Sequence, residues 1–384
     1  MNKASDIQFS DNSFISLHAQ LHDQLRQLIL SGRWESGSRI PSESELAAHL
    51  GVSRSTVRLA LQRAEIEGLI ERTAGRGTFV AYVPAHQLKN HLIAFVTYGF
   101  ETDHLYMLKG AESELKASGY QVILSNVQNQ QEELDILQRL RKEYVAGVLL
   151  WPHANASRPE QENLSKYREV PIPMVLMDRL IYGVDCDCVT SDNYGGASAL
   201  MRHLIELGHE RIVFLSHHEL HLLTVSARYR AYCDALSAAG LDSCDPWQIS
   251  RPGNEIGASE TFRLLMNASS PVLQQIREYL VDANPRPTAI FAVNDYVAVL
   301  ATRAIKLLGL RLPDAISLAG FDDIELAAHL EVPLTTVAQD MFTIGKRAAR
   351  RLLNRLEGYS GPTECEIIPT ELRIRSSTAV PVRV

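Results

Sequence analysis

Short apolar runs alternate with helical stretches through the chain from Leu92 onwards. The run 92–97 is almost continuously apolar, which is typical of a buried parallel strand. Further strands are predicted at 120–125, 145–151, 174–177, 211–215, 289–293 and 316–320, and helices at 106–118, 132–142, 195–207, 226–239, 270–282 and 296–308. This alternation predicts an α/β fold with parallel sheets. Because a second series begins near Asp192, we predict two lobes in sequence with a ligand cleft between them.

The stretch 41–58, PSESELAAHLGVSRSTVR, predicts two short helices joined by a tight turn. Ser42 is a candidate N-cap, and Glu45 three residues later can complete a capping box. Gly51 can end the first helix because glycine adopts a left-handed conformation without steric cost. Ser53 is predicted to cap the second helix. The buried stripe of that helix is expected at Val57, Ala60, Leu61 and Ala64.

The opposite face of the second helix is polar and cationic, as in helices that enter a major groove of DNA. Residues 68–72 predict a strand, and 75–80 predict a glycine turn and a returning strand, which together would form a wing. The candidate DNA contacts on the helices and the wing are Ser42, Ser44, Ser53, Arg54, Ser55, Thr56, Arg58, Arg76 and Gly77. The alternative is a solvated helical hairpin with no DNA partner.

The segment LRQLILSGRWESGSRIPSESELAAHLGVSRSTVRLALQRAEIEGLIERTAGRGTFV resembles the winged helix-turn-helix of GntR-type transcription regulators over nearly its whole length. The resemblance implies a DNA-binding domain over residues 1–80. Residues 81–91 contain Pro84 and several small or polar side chains, so they are interpreted as a linker.

Polar residues recur just past the carboxyl ends of the predicted strands, where ligands bind in open α/β sheets. They are Asp178, Arg179, Asp192, Asn193, Asn294, Asp295 and Asp322. Such a set suits a sugar, because carboxylates and amides hydrogen-bond to paired hydroxyls. Tyr98, Tyr106 or Trp151 could cover an apolar sugar face. The alternative for Asp192, Asn294 and Asp295 is that they only cap the helices that follow.

The segments LMDR, TSDNYGGASALMRHLIELGHERIVFL, SARYRAYCDAL, AVNDYVAVLATRAIKLLGLRLPDAISLAGFDD and PLTTVAQD resemble the effector domain of the lactose-repressor (LacI/GalR) family. That domain is similar to periplasmic sugar-binding proteins. The resemblance implies an effector-binding and dimerisation domain of two lobes over residues 92–384. It implies effector contacts at Arg228, Asn294, Asp322 and Gln339, with Asp178 as a further candidate.

A GntR-type head followed by a LacI-type effector domain resembles the arabinose-repressor group. This resemblance implies a homodimeric repressor of sugar catabolism or transport genes, bound to a pseudo-palindromic operator. A sugar similar to L-arabinose would release it from the DNA. Residues 81–91 carry no LacI-type hinge-helix signature, so a mechanism based on folding of a hinge helix is not expected. The alternatives are a regulator that responds to a purine or another non-sugar ligand, and a solute-binding receptor.

Charge and motif content bear on three further questions: how the chain binds DNA, whether it is an enzyme, and where it is located. The net charge is −7, and the first 83 residues carry as many acids as bases, so DNA affinity must come from local clusters such as Arg54 and Arg58. No G-x-S-x-G, P-loop or G-x-G-x-x-G motif occurs. We therefore expect no enzyme activity and no cofactor. No signal peptide or membrane-spanning run is apparent, so we expect a cytoplasmic protein without a membrane partner.

Cysteine and histidine motifs are the remaining candidates for metal binding. The five cysteines are odd in number and scattered, which favours reduced thiols in a cytoplasm. Cys186 and Cys188 could suggest a metal site, but a pair of thiols is the favoured interpretation. His217, His218 and His221 in SHHELH are interpreted as a polar loop rather than a metal site.

Overall fold

The computed structural model describes residues 7, 16–30, 33–73, 76–81, 92–99, 101–140, 145–153, 161–170, 172–217, 222–242, 245–249, 258–267 and 269–382. The chain divides into two compact units, Met1–Asn90 and His91–Val384. The predicted linker 81–91 lies outside the described residues except for Ala81. Among the helices that the structure describes, none is long and apolar enough to cross a membrane.

The first unit is a three-helix domain with a small antiparallel sheet. Its helices are α1 (Leu17–Leu30), α2 (Glu43–Leu50) and α3 (Arg54–Ile66), and its strands are β1 (Arg39–Ile40), β2 (Ile70–Thr73) and β3 (Gly77–Val80). The strand order is β1-β3-β2. The helix pair and the two-stranded wing are confirmed. The sequence did not predict β1, because this strand has two residues and exists only through its pairing with β3.

Local side-chain chemistry sets the helix boundaries in this unit. Ser42 Oγ accepts from Glu45 N at 3.2 Å, and Ser42 N donates to Glu45 Oε2 at 2.7 Å, so the predicted capping box is present. Gly51 ends α2 with a φ of 67°. Ser53 Oγ accepts from Thr56 N at 3.1 Å at the start of α3. The predicted stripe of α3 is buried against a core that also contains Leu21, Leu25, Trp34 and Leu46.

The second unit continues the series in chain order. Its helices are α4 (Thr102–Ala117), α5 (Gln130–Leu140), α6 (Gln161–Arg168), α7 (Asn193–Glu206), α8 (Leu223–Ala238), α9 (Ala258–Met266), α10 (Pro271–Asp282), α11 (Asp295–Leu307), α12 (Glu325–His329) and α13 (Met341–Leu356). Its strands are β4 (Leu92–Tyr98), β5 (Gln121–Val127), β6 (Val145–Leu150), β7 (Met174–Met177), β8 (Asp187–Ser191), β9 (Ile212–Ser216), β10 (Trp247–Gln248), β11 (Ala289–Ala292), β12 (Ser317–Ala319), β13 (Thr336–Ala338), β14 (Cys365–Ile368) and β15 (Glu371–Arg373).

Two parallel sheets organise this unit into two lobes, as predicted. The first lobe has a six-stranded parallel sheet in the order β14-β8-β7-β6-β4-β5. One face of this sheet packs against α4 and α13, and the other face packs against α5. The second lobe has a four-stranded parallel sheet in the order β10-β9-β11-β12, whose core includes α7, α8, α10 and α11. An antiparallel pair, β13 and β15, adjoins it.

The lobes are not simply consecutive in sequence, which corrects one expectation. After β13 the chain returns to the first lobe, where α13 packs on the sheet and β14 pairs with β8. It then returns to the second lobe at β15. Three connections therefore join the lobes: β8 to α7, β13 to α13, and β14 to β15. Periodicity alone could not assign α13 or β14 to a lobe, because both depend on contacts with segments far away in the chain.

One predicted boundary was wrong in a way that matters for the site. The helix predicted at 106–118 begins at Thr102, after Glu101 at the N-cap position. Glu101 N donates to His104 Nδ1 at 2.9 Å, which starts the helix earlier than the apolar pattern suggested. Tyr106 therefore lies in the second turn of α4 rather than at its first residue.

Helices α4 and α13 approach so closely that glycine is required on both. A Cβ added to Gly110 would lie 2.0 Å from the carbonyl oxygen of Phe342. A Cβ added to Gly345 would lie 1.9 Å from the carbonyl oxygen of Met107. Backbone atoms cannot yield as a flexible side chain can, so the helices must separate if either glycine gains a side chain. This contact fixes α13, and with it the returning C-terminal segment, onto the first lobe.

We predict that Gly345→Ala lowers the free energy of unfolding by about 1–3 kcal/mol, the cost typical of overpacking a well-packed core. Lys346→Ala, at an exposed position of the same helix, serves as the matched control. Urea denaturation of the full chain, followed by circular dichroism, measures both variants. Equal midpoints for Gly345→Ala and the control would contradict the close helix contact.

Candidate functional site

A buried ion pair between Arg228 of α8 and Asp322 after β12 lies at the centre of the candidate site. Arg228 Nη1 is 3.4 Å from Asp322 Oδ1, and the two side chains are 7% and 12% exposed. Arg228 Nε donates to Asn193 Oδ1 at 2.8 Å, and Nη1 donates to the carbonyl oxygen of Val293 at 2.7 Å. The guanidinium also lies 3.7 Å from the ring centroid of Phe321. These contacts hold the cation in one orientation.

Further polar groups converge on this pair from the first lobe and from a connection between the lobes. Gln339, between β13 and α13, donates from Nε2 to Asp322 Oδ1 at 2.7 Å. Asp178, after β7, is 6% exposed and interacts electrostatically with both Arg228 and Asp322. Asp178 and Asp322 have φ angles of 61° and 115°, a conformation that non-glycine residues rarely adopt and that is often found at functional sites. Asp103, Asp178, Arg228, Asp322 and Gln339 are here called the interlobe cluster.

Asp103, in the first turn of α4, belongs to this cluster although sequence reasoning missed it. Burial and the carboxylates of Asp322 and Asp178 raise the pKa of Asp103 to about 8. Burial also raises the pKa of Asp322 to about 6, while Arg228 opposes that shift. Burial lowers the pKa of the Arg228 guanidinium. Asp103 lies five residues after the end of β4, at the second residue of α4. The polar-residue rule that found Asp178 would have reached it only with the start of α4 placed correctly.

Aromatic side chains form two ring pairs in the first lobe. The rings of His104 and Trp151 lie 3.7 Å apart, and those of Tyr98 and His153 lie 4.4 Å apart, edge to face. The guanidinium of Arg179 lies 5.4 Å from the Trp151 ring. The structure thus places two of the three predicted aromatic candidates, Tyr98 and Trp151, in separate ring pairs, which pack against cores on opposite faces of the sheet.

A buried carboxylate holds the loop that carries two of these rings. Glu133 on α5 is fully buried, accepts from His153 N at 2.7 Å and accepts from Tyr167 Oη at 2.5 Å. Burial raises the pKa of Glu133 to about 7, although both hydrogen bonds and Arg179 oppose the shift. These bonds fix the loop that follows β6, which carries Trp151 and His153.

Other predicted candidates have different surroundings. Tyr106 is 40% exposed, and its Oη donates across the lobes to Glu325 Oε1 of α12 at 3.3 Å. Asn294 Oδ1 accepts from Val297 N at 3.0 Å and caps α11. Asp192 Oδ1 accepts from Gly195 N at 2.7 Å and caps α7. Asn294 and Asp192 therefore make the helix-capping bonds that the sequence offered as the alternative to ligand binding.

Asp295 is fully buried and serves the packing of the second lobe. Its Oδ2 accepts from Ile324 N at 3.0 Å, and its Oδ1 accepts from Thr336 Oγ1 at 2.6 Å. Burial raises the pKa of this carboxyl well above its usual range. Asp295 is thus the first residue of α11 rather than its cap, and it holds the segment after β12 in place.

A cavity of about 200 Å³ adjoins the interlobe cluster at Asp178. The first lobe contributes Asp178, Thr190 and Ile367 to its lining. The second lobe contributes Asn193 and Arg230 among others. The cavity therefore lies between the lobes, beside the connection from β8 to α7.

In the first unit, the outward face of α3 carries the predicted polar residues. Arg54 donates to Ser44 Oγ of α2. Ser53 Oγ lies 2.7 Å from Ser55 Oγ and 2.8 Å from Thr56 Oγ1. These contacts join the two helices of the pair through hydroxyl and guanidinium groups at exposed positions.

Acidic and basic groups alternate on the same side of this unit. Glu43 of α2 lies 3.2 Å from Arg58 Nε and also 3.2 Å from Arg72 Nη1. On the wing, Arg76 is exposed and Gly77 has a φ of 114°. A Cβ added to Gly77 would lie 3.2 Å from Arg39 Nε. Sequence reasoning did not select Arg39, because only the pairing of β1 with β3 brings it to the wing.

Of the histidines considered as metal ligands, His217 follows β9, and His218 and His221 lie outside the described residues. Within the part of the chain that the structure describes, no group of three or more His, Cys, Asp or Glu side chains could hold a metal ion.

Comparisons with known proteins agree with this architecture. Residues 17–80 match the family model described as bacterial regulatory proteins, gntR family. Residues 201–378 match the periplasmic binding protein-like domain. The chain is 31% identical over 368 residues to an arabinose metabolism transcriptional repressor of Geobacillus stearothermophilus, with 94% of this chain and 97% of the relative covered. It is also 31% identical over 274 residues to the HTH-type transcriptional repressor CytR of Escherichia coli (strain K12), with 71% and 74% covered.

The second unit also resembles solved structures. One is a LacI family transcriptional regulator from Enterococcus faecium, with a TM-score of 0.61 and 22% identity over 75% of this chain and 99% of that one.

Fold and sequence together define a DNA-binding transcriptional repressor with a small-molecule effector domain. Within this class, the chain belongs to the GntR family, in the branch that joins a GntR-type head to a periplasmic-binding-protein-like domain. Its relatives are transcription regulators rather than enzymes.

The raised pKa of Asp103 predicts a pH-dependent stability. A carboxyl with a folded-state pKa of about 8 binds more protons in the folded than in the unfolded chain above about pH 4. The free energy of unfolding therefore falls as the pH rises from about 4 through about 8. We expect Asp103→Asn to reduce the loss of thermal stability between about pH 6 and about pH 9. Glu112→Gln, exposed on the same helix, should keep the wild-type loss. Equal slopes for Asp103→Asn and wild type would contradict the assigned burial.

Proposed function

We propose that the interlobe cluster binds a neutral sugar similar to L-arabinose, and that this binding releases the repressor from its operator. The observation that carries the proposal is the buried Arg228–Asp322 pair, which meets acidic side chains from the opposite lobe. Arginine and carboxylate groups fixed in this way offer donors and acceptors to neighbouring hydroxyls. The ring pairs that contain Tyr98 and Trp151 would supply apolar surface for the sugar ring.

The charge of the cluster favours a neutral ligand over an anion. Asp103, Asp178 and Asp322 contribute acidic groups, and Glu101 lies close enough to raise the pKa of Asp103. Arg228 already pairs with Asp322. With a pKa of about 8, Asp103 is largely protonated at neutral pH and can donate to a sugar hydroxyl, while the carboxylates of Asp178 and Asp322 would repel a phosphate group. The similarity to an arabinose metabolism transcriptional repressor of Geobacillus stearothermophilus, and the ribose bound in the Enterococcus faecium structure, also support a sugar ligand.

Ligand binding can control DNA binding by changing the population of lobe arrangements. The cluster draws Asp103 and Asp178 from the first lobe and Arg228 and Asp322 from the second, so a ligand held by all of them favours the closed arrangement. Tyr106 contacts Glu325 across the lobes and would support closure at the rim of the site. We place Asn294, at the start of α11, on the second-lobe side of the same site.

The DNA-binding surface is proposed on α3 and the wing. Arg54, Ser55 and Arg58 would enter the major groove. The hydroxyls of Ser42, Ser44, Ser53 and Thr56 would contact the backbone, and Arg76 and Gly77 would do so from the wing. The first unit, residues 1–80, would act in a cytoplasmic homodimer on a pseudo-palindromic operator. In such a dimer, a ligand-driven change in residues 92–384 alters the spacing of the two reading heads.

We predict that Arg54→Ala lowers operator affinity at least about 10-fold, because it removes a charged groove contact. The operator is first selected from genomic fragments with the wild-type protein, and affinity is then measured by gel shift. Arg202→Ala, an exposed arginine on α7, is the control and should bind DNA as wild type does. Wild-type affinity for the Arg54 variant would exclude this arginine from the DNA contacts. The variant should keep the thermal shift given by the sugar, because the second unit is unchanged.

We predict that Asp322→Asn abolishes the thermal shift given by L-arabinose and the sugar-dependent release of DNA, while operator binding is retained. Gln339→Ala provides a second variant that leaves the ion pair intact, and Asp314→Asn, on the surface, is the control. The assay compares pentoses, hexoses, their phosphates and purines, because a ligand of the folded state raises its melting temperature. A shift with purines or sugar phosphates but not with free sugars would overturn the sugar assignment.

A further inference from the structure

Two cysteines from distant parts of the chain face each other in the first lobe. Cys188 of β8 and Cys365 of β14 are directly paired residues of two neighbouring parallel strands. Their thiols are joined by a hydrogen bond. Cys188 is fully buried, whereas Cys365 is exposed on the edge strand. The pair therefore combines one thiol that solvent can reach with one that it cannot.

The surroundings make Cys365 the reactive member. The hydrogen bond from Cys188 and the charge of Arg351 lower the pKa of Cys365 to about 7, although burial opposes the shift. Arg351 also contacts the carboxylates of Glu364 and Glu366, so its charge is shared. The pKa of Cys188 is raised, because its thiol donates that hydrogen bond and because it is buried. Because a thiolate is the nucleophilic form of cysteine, oxidants should react first at Cys365.

We propose that Cys365 and Cys188 form an oxidant-responsive dithiol that closes to a disulfide on reaction with a hydroperoxide. The Cys365 thiolate attacks the terminal peroxide oxygen, the O–O bond breaks, and the hydroxide or alkoxide that leaves takes up a proton equivalent to the one that the Cys365 thiol released on ionisation. The sulfenic acid on Cys365 is then attacked by the Cys188 sulfur. The S–S bond forms, the S–O bond breaks, and the oxygen leaves as water with the Cys188 proton. Two thiols lose two electrons in total, and the peroxide gains them.

The strand geometry permits this bond. Neighbouring strands lie about 4.7–4.9 Å apart. Disulfide-bonded cysteines have Cα atoms about 4.4–6.8 Å apart, so directly paired positions fall within reach. Cys186 lies nearby and interacts with both partners, but burial and neighbouring aspartates raise its pKa to about 12. It is therefore a poor competitor as the attacking thiol.

The position of the pair connects it to the lobes. Strand β8 leads into the connection to α7, and β14 leads into the connection to β15. At the far ends of the two strands, Asp192 N donates to the carbonyl oxygen of Ile368 at 2.8 Å. A disulfide between the strands would thus link the segments from which two of the three connections between the lobes emerge. The two cysteines are not members of the interlobe cluster, although Asp178 interacts electrostatically with Cys188, and the disulfide needs no sugar to form.

The test uses the full chain with Cys233 and Cys244 replaced by serine, which leaves Cys186, Cys188 and Cys365. The reduced protein is treated with a small excess of hydrogen peroxide, free thiols are alkylated, and tryptic peptides are analysed by mass spectrometry. We expect a disulfide between the peptides that contain Cys188 and Cys365. The same disulfide should form in a variant that also carries Cys186→Ser. Loss of the linked peptide in that variant would overturn the proposal, because Cys186 would then be the partner.

A second variant separates the two chemical steps. With Cys188→Ser added to the parent that carries Cys186→Ser, the sulfenic acid on Cys365 has no neighbouring resolving thiol, so we expect at least about 10-fold more trapping by dimedone than in that parent. Cys365→Ser should give neither the adduct nor the linked peptide. Equal trapping in the Cys188→Ser variant and the parent, or three thiols that remain fully alkylatable after peroxide, would overturn the proposal.

Discussion

The buried pair of Arg228 and Asp322 is the interaction on which the effector domain depends. Removing two charges from water is costly, and their attraction compensates only if additional hydrogen bonds satisfy the remaining donors and acceptors. Asn193, Val293 and Gln339 supply those bonds. The pair is therefore both a structural restraint and a preformed set of polar contacts. Loss of one partner would leave the other as an uncompensated charge in the interlobe cluster.

The C-terminal segment that returns to the first lobe positions a hydrogen-bond partner of this pair. Because α13 lies on the first lobe, Gln339 is held in a connection between the lobes and reaches Asp322 from there. The glycines at positions 110 and 345 allow the helix contact that anchors the return. The absence of a side chain at two residues thus determines the position of Gln339, a proposed ligand contact. Repressor function needs such a site because a ligand can shift the lobe arrangement only through contacts with both lobes.

Local patterns predicted the parts of the fold that local contacts determine. The capping box of Ser42 and Glu45 was predicted correctly because it joins residues three positions apart. Strands β4, β5, β6, β7, β9, β11 and β12 were predicted because continuous apolar runs indicate burial on two faces. Strands β8, β10, β13, β14 and β15 were not predicted. Among site residues, Asp178 and Asp322 were recognised by their positions after strands. Asp103 was missed, because the cap at Glu101 shortened the loop after β4 and no apolar periodicity marks that boundary.

The sequence by itself determined the class of protein: a helix pair with a cationic outward face, and parallel strands that end in polar residues. Only the tertiary structure decided that Asp103 meets Asp322, and that Cys188 lies beside Cys365. These pairs are separated by well over a hundred residues, and their meeting depends on how the chain passes between lobes. Local propensity carries no information about that path, because it is determined by packing among distant segments.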